Sequence, residues 1–291
     1  MTISVVIPTF NRADVVAAKA RRLCQSPDVD ELIVVADGCS DHTVAALRQI
    51  DSEKLKVIAR DGNEGTPTAR NHGIDAATGD WIGFCDDDDD ELESYFATLR
   101  AVAIRHQADI VGAPQLRVPR GTTLEEHVAE LRRQVAEGEP SDGRLGFSGA
   151  EFTETPFVSP NVICRRAVFD SVRFDPRYRG NFWCEETDFA VSAARAGFKV
   201  GTTDTTFTFS TVRHGGGAHS RSRLAYEYWT LRNYWQYLTK HESWLRERGL
   251  ITSRLGGEAA FARDRAAIYE GKVRRRASAL AARLRRVVPG A

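Results

Sequence analysis

Four short apolar runs, separated by stretches of helical spacing, fill the first ninety residues and constrain the fold more than any other feature. Residues 3–7 are almost wholly apolar up to Pro8, and residues 31–36, 55–59 and 81–85 repeat the pattern. Runs this short, without polar alternation, predict strands buried on both faces. Between them, residues 13–25 carry Val15, Val16, Ala18 and Leu23 at helical spacing. Residues 43–50 and 67–77 read as two further helices, the former capped by Ser40 or Asp41. A strand–helix alternation of this length predicts an α/β fold with a mostly parallel sheet flanked by helices, because parallel neighbours need a crossover. Ligands of such sheets bind beyond the carboxyl ends of the strands. Pro8, Asp37 and Asp86 each follow a strand directly, so one sheet edge should collect all three.

Further along, the spacing predicts a helix over 91–106, a strand over 108–112, a surface helix over 124–137 and a strand over 161–164. A helix over 188–197, ending at Gly197, precedes strand-like segments at 199–202 and 206–210. Beyond Gly215–Gly217 the chain reads as helical, broken near Gly249 and at Gly256–Gly257. The expected organisation is a catalytic domain over 1–218, in halves 1–112 and 113–218, followed by a helical extension over 219–291.

Hydrophobic residues make up 42% of the chain, enough for a core, which excludes wholesale disorder. No run reaches the roughly 18 apolar residues that span a bilayer. The N-terminus enters a strand without a basic leader, so no signal peptide is expected. Five dispersed cysteines without a C-x-x-C pair indicate neither a zinc site nor a disulfide framework, and reduced thiols in the cytoplasm are the expectation. Forty basic residues balance forty acidic ones, but residues 1–150 hold 26 acidic against 16 basic and the remainder reverses the bias. A uniformly basic nucleic-acid binder is thereby excluded, and no nucleic-acid partner is expected.

Four constellations carry chemistry. Asp86–Asp90, followed by Glu91, places five like charges in a row at a strand end. A hard divalent cation such as Mg²⁺, held by one or two carboxylates plus substrate phosphates, would relieve their repulsion; a solvated acidic turn capping the next helix is the plainer alternative. In the segment 63–73, Arg70 is placed to pair with Asp37 and brace a nucleotide pocket, or to touch a phosphate, or simply to lie on a helix surface. Glu185, Glu186 and Asp188 crowd the start of a helix, where acids are favoured by the dipole and where one could serve as a general base. His214, beside three glycines, suits a loop that closes over a ligand, as a metal ligand or a diphosphate contact. Neither a phosphate-binding G-x-x-x-x-G-K loop, a G-x-G-x-x-G fingerprint nor a G-x-S-x-G elbow is found.

In this order and spacing the motifs resemble those of the family-2 glycosyltransferases, which have the GT-A fold. The resemblance covers about residues 3–215: residues 4–12 match the opening strand and turn, and 34–41 the second strand and its nucleobase turn. Asn63-x-Gly65, Ala69-Arg70-Asn71-x-Gly73 and Ala77-x-Gly79-Asp80 match the lead into the Asp-x-Asp motif, and residues 184–189 the acidic motif before the acceptor-side helix. The resemblance implies Pro8, Thr9 and Arg12 at the nucleotide, Asp37 bonded to the base, at N3–H if it is uracil, and Arg70 in support. It places Asp86 and Asp87 at the nucleotide, Asp88 on Mn²⁺ or Mg²⁺, and His214 near the diphosphate. Glu186 falls at the family's base, with Glu185 or Asp188 as alternatives, and Asp87/Asp89 is the rival register to Asp86/Asp88. Ala36 stands where the family often has a second acid. The implied reaction is inverting transfer of one sugar from a nucleoside-diphosphate sugar, such as a UDP-sugar, to a hydroxyl of a glycan, a lipid-linked acceptor or a small molecule. A nucleotidyltransferase, or a non-catalytic nucleotide- or cation-binding module, are the competing readings.

The last twenty residues carry seven basic side chains and no acidic one. Val273, Ala277, Leu280, Leu284 and Val287 recur at helical spacing, which suits either peripheral contact with an anionic membrane or packing on the protein with a solvated basic face.

Overall fold

The computed structural model describes residues 1–117, 150–210 and 222–266, together with 126, 129, 130 and 133. The chain divides into two compact units, Met1–Trp229 and Thr230–Ala291.

The first unit opens with β1 (Ile3–Thr9), α1 (Ala13–Gln25), β2 (Glu31–Ala36), α2 (Thr43–Arg48), β3 (Leu55–Ala59), α3 (Thr66–Ala76) and β4 (Trp81–Phe84). These strands lie parallel in the order β3-β2-β1-β4. Every element expected over the first 84 residues is present. Asp41 caps α2, its Oδ1 accepting the Thr43 N–H at 2.9 Å. Ile3, Val5 and Ile7 point to one side of the sheet and meet Val16, Ala20 and Leu23 of α1. Val6, Ile33 and Val35 point to the other and meet Ala69 and Ile74 of α3. Burial on both faces is the reason β1, β2 and β4 are almost wholly apolar, whereas β3 at the sheet edge is half-exposed and carries Lys56. Gly73 lets α3 lie close on β1, since a methyl there would overlap the Val6 side chain.

Beyond β4 come β5 (Asp89–Glu91), α4 (Tyr95–Arg105), β6 (Ile110–Gly112), β7 (Gln115–Arg117), β8 (Thr153–Glu154) and β9 (Val162–Arg165). A 3₁₀ turn (Arg166–Asp170), α5 (Glu185–Arg195), β10 (Val200–Thr202), β11 (Thr208–Ser210) and α6 (Arg223–Glu247) follow. β9 inserts antiparallel between β4 and β6, and β10 and β8 complete an eight-stranded sheet in the order β3-β2-β1-β4-β9-β6-β10-β8. β5, β11 and β7 form a separate small sheet.

Several boundaries differ from expectation. The helix placed over 91–106 starts only at Tyr95, because Asp89–Glu91 pair with Ser210–Thr208 and Ser94 turns the chain at φ 60°. The helix placed over 188–197 starts at Glu185, after Cys184 at φ 69°, and stops before Gly197 at φ 93°. β7 and β8 have only three and two residues, too few to leave a pattern. In the second unit α6 ends before Gly249 as expected, but residues 254–266 are helical through Gly256 and Gly257. Ser253 holds that turn, accepting the Gly256 N–H on Oγ at 3.0 Å and the Gly257 N–H on its carbonyl at 2.9 Å. The surface helix over 124–137, for the most part, and the basic tail over 272–291 lie outside the described residues. No helix among the described residues is long and apolar enough to cross a membrane.

Candidate active site

The carboxyl ends of β1, β2 and β4 deliver Pro8 and Thr9, Asp37, and Asp86–Asp88 to one edge of the sheet, where they line a cleft of about 740 Å³. Arg12 joins them from the turn before α1; Glu185, Glu186 and the loop 180–184 close the far wall with Trp229.

Burial alternates along the aspartate run, through the turn at Asp87 and Asp88 and into β5. The side chains of Asp86 and Asp88 keep 32% and 26% of their surface exposed, whereas Asp87 keeps 8%. Asp87 accepts from Thr9 Oγ1 at 2.7 Å and pairs with Arg12 Nη1 at 2.6 Å. Burial pushes its carboxyl up against the pull of Arg12. Asp89 turns away from the cleft and accepts from Gln115 and from Asn161 Nδ2, the latter at 2.8 Å. Burial, then the Asp86 charge, push it up to about 7. Among the described residues Asp88 pairs with Arg12 alone, through Oδ2 at 2.7 Å, and Asp86 meets Arg70 through Oδ1 at 2.9 Å. One oxygen of each thus has no side-chain partner among the described residues. Two such carboxylates fit a Mg²⁺ or Mn²⁺ ion whose other ligands are phosphate and water. No group of three or more His, Cys, Asp or Glu side chains arranged to hold a metal occurs among the described residues.

Arg70 is fully buried, yet it does not support Asp37 as anticipated. It reaches Asp86, Glu185 and Glu186, the last at 3.2 Å, so one cation joins the two acidic motifs. Asp37 instead accepts the N–H groups of Glu64 at 3.1 Å and Gly65 at 2.7 Å, fixing the entry to α3. The two glutamates separate clearly. Glu185 is 1% exposed and bound to Arg70, with its carboxyl pushed up by burial and then by Glu186 and Asp86 against that pairing. Glu186 is 28% exposed and opens to the cleft. Asp188 is buried and accepts from Tyr178 OH at 3.1 Å, away from the lining. His214 lies outside the described residues.

Lys19 was not anticipated. Its buried ammonium donates to the carbonyls of Asp86 and Asp89, both at 2.6 Å, and to Glu91 Oε1 at 2.5 Å, holding the acidic loop from behind. A lysine on the apolar stripe of α1, between Val16 and Leu23, was the available signal.

The profile of glycosyl transferase family 2 matches residues 4–173. The chain belongs to that family. A GalNAc(5)-diNAcBac-PP-undecaprenol β-1,3-glucosyltransferase of Campylobacter jejuni is 27% identical over 188 residues, 62% of this chain and 56% of that protein. The succinoglycan biosynthesis protein ExoO of Rhizobium meliloti is 39% identical over 115 residues, 38% of this chain and 31% of its own. The chain spans about half or less of the length of these curated relatives. Among solved structures, S. aureus TarS 1–349 in complex with UDP-GlcNAc superposes with a TM-score of 0.60 at 18% identity, over 82% of this chain and 66% of that one. The mannosyltransferase PcManGT of Pyrobaculum calidifontis, in complex with GDP-Man and Mn²⁺, gives 0.57 at 17% identity, over 83% and 64%. At these identities the likeness establishes the GT-A fold of the family.

Proposed function

We propose that the chain transfers a single sugar from a nucleoside-diphosphate sugar to an acceptor hydroxyl, with inversion at the anomeric carbon. The observation that carries this reading is the joining of Asp86 and Glu186 by Arg70 across one cleft, with Asp88 beside them. Pro8, Thr9 and Asp37 form the nucleotide wall, and a UDP-sugar is the donor the family pattern favours. A TarS structure with UDP-GlcNAc and a PcManGT structure with GDP-Man and Mn²⁺ support a nucleotide-sugar donor. Glu186 takes the acceptor proton as the acceptor oxygen attacks the anomeric carbon. The bond to the diphosphate breaks and the electron pair leaves with it. Asp88, with Asp86, would hold Mn²⁺ or Mg²⁺, which when bound neutralises charge on the departing diphosphate. Arg70 keeps Asp86 and Glu186 in register, and Arg12 fixes Asp87 and Asp88, so positioning is supplied by the protein.

The test is a donor panel of UDP-, GDP- and dTDP-sugars, read by thermal shift and by donor hydrolysis with Mn²⁺. One nucleotide should raise the melting temperature only with the metal, and EDTA should stop turnover. Glu186→Gln should lower turnover by about 10²–10⁴, the usual worth of a general base, while nucleotide still binds. Full activity in EDTA or in Glu186→Gln removes the proposed roles. Nucleotide binding with no turnover of any donor favours the binding-only module.

A further inference from the structure

We infer that the acceptor end of this cleft is built for an uncharged sugar ring, stacked on Phe182, Trp183 and Trp229 beside Glu186. The inference rests on the glycosyl-transfer reading and names the acceptor's chemical class.

Three of the five residues in the loop 180–184 have positive φ: Gly180 at 74°, Phe182 at 54° and Cys184 at 69°. The left-handed region is unfavourable for a non-glycine residue, so the surroundings must hold this loop in place. They do so with polar contacts. Asn181 Oδ1 accepts the Trp183 N–H at 3.2 Å, Asn181 Nδ2 donates to the Tyr226 carbonyl at 3.1 Å, and the Glu185 N–H donates to the Phe182 carbonyl at 3.2 Å. Two glycines seat the rings. A methyl on Gly65 would overlap Phe182, and one on Gly180 would overlap Trp229. All three rings line the cleft and are only half-buried, so the packing that would explain them as core is incomplete.

Aromatic faces next to carboxylate oxygens match the two surfaces of a pyranose, apolar C–H faces and a polar rim of hydroxyls. The charge of the wall then selects among sugars. Among the described lining residues there are six carboxyl groups, on Asp37, Asp86, Asp87, Asp88, Glu185 and Glu186, against one guanidinium, Arg12. Arg12 is itself committed to Asp87 and Asp88. At the acceptor end the open carboxylate is Glu186, and a phosphate or carboxylate beside it would meet like charge. An uncharged sugar does not.

Saturation-transfer NMR on the full chain, with UDP or GDP and Mg²⁺ present, tests this. The probes are methyl glycosides of glucose, galactose, mannose and N-acetylglucosamine, their β-linked disaccharides, methyl glucuronide and glycerol phosphate. At least one neutral glycoside should bind, and the two anions should not. Trp183→Leu and Trp229→Leu should each weaken that binding by roughly tenfold, the scale of one lost stacking partner, with Trp183→Phe retaining most of it. Nucleotide binding in each variant reports that it has folded. Equal or tighter binding of either anion, no binding of any neutral glycoside, or unchanged affinity in both tryptophan variants overturns the inference. Failure of wild-type protein to bind any of UDP, GDP and dTDP instead refutes the glycosyl-transfer reading.

Discussion

Lys19 and Glu91 are 70-odd residues apart in sequence, and both are buried. Burial alone would drive Glu91 up, but Lys19 and then Arg22 outweigh it and hold the carboxyl below its ordinary range. Removing one partner of such a pair leaves the other buried and uncompensated. Lys19→Met should therefore cost about 3–5 kcal/mol of unfolding free energy in urea; a loss near zero would mean that water reaches the pair. The pH dependence has a definite sign. A carboxyl depressed in the folded state stabilises above its unfolded pKa of about 4.3, and that contribution is lost as pH falls through the folded value. The stability gap between wild type and Glu91→Gln should thus be full at neutral pH and shrink in acid, and a gap independent of pH would contradict the assignment. The family resemblance singled out Asp86, Asp88 and Glu186 within acidic clusters that are visible in one dimension, one after a strand and one at a helix start. Lys19 and the true partners of Arg70 were not visible, because their meaning depends on elements that meet only in the folded chain.

At the scale of elements, the first four strands and three helices were legible because burial in the sheet leaves short runs that are almost wholly apolar. The acidic run misled the reading of α4. Five aspartates suggest a helix cap, yet β11 offers a ladder that converts Asp89–Glu91 into a strand. Tertiary pairing overrode local preference there. α3 shows the opposite case, where a single glycine sets the distance between layers. Gly73→Ala should push α3 off β1 and cost about 1–3 kcal/mol, as overpacking does, lowering the thermal midpoint; an unchanged midpoint would show that Val6 can give way without loss.

For the whole molecule, the parallel half of the sheet followed from connectivity, since each helix must return the chain to the same edge. The antiparallel insertion of β9 between β4 and β6 did not, because a four-residue strand carries no mark of its partners. The second sheet was hidden for the same reason, its strands being three residues each. What the assembled fold adds is the shared cation. Arg70 is bonded on one side to Asp86 and on the other to Glu185 and Glu186, so the charge on either side is felt on the other. Neutralising Glu186 lets Arg70 lean on Asp86 and compete with a divalent ion there. Glu186→Gln should accordingly weaken Mn²⁺ binding, measured by calorimetry without any donor, by at least about fivefold, the lower end of ordinary coupling between sites. An unaltered Mn²⁺ affinity would show the sites to be independent. If the affinity does fall, two substrates that never touch the same carboxylate report on each other's arrival, through a side chain neither of them sees.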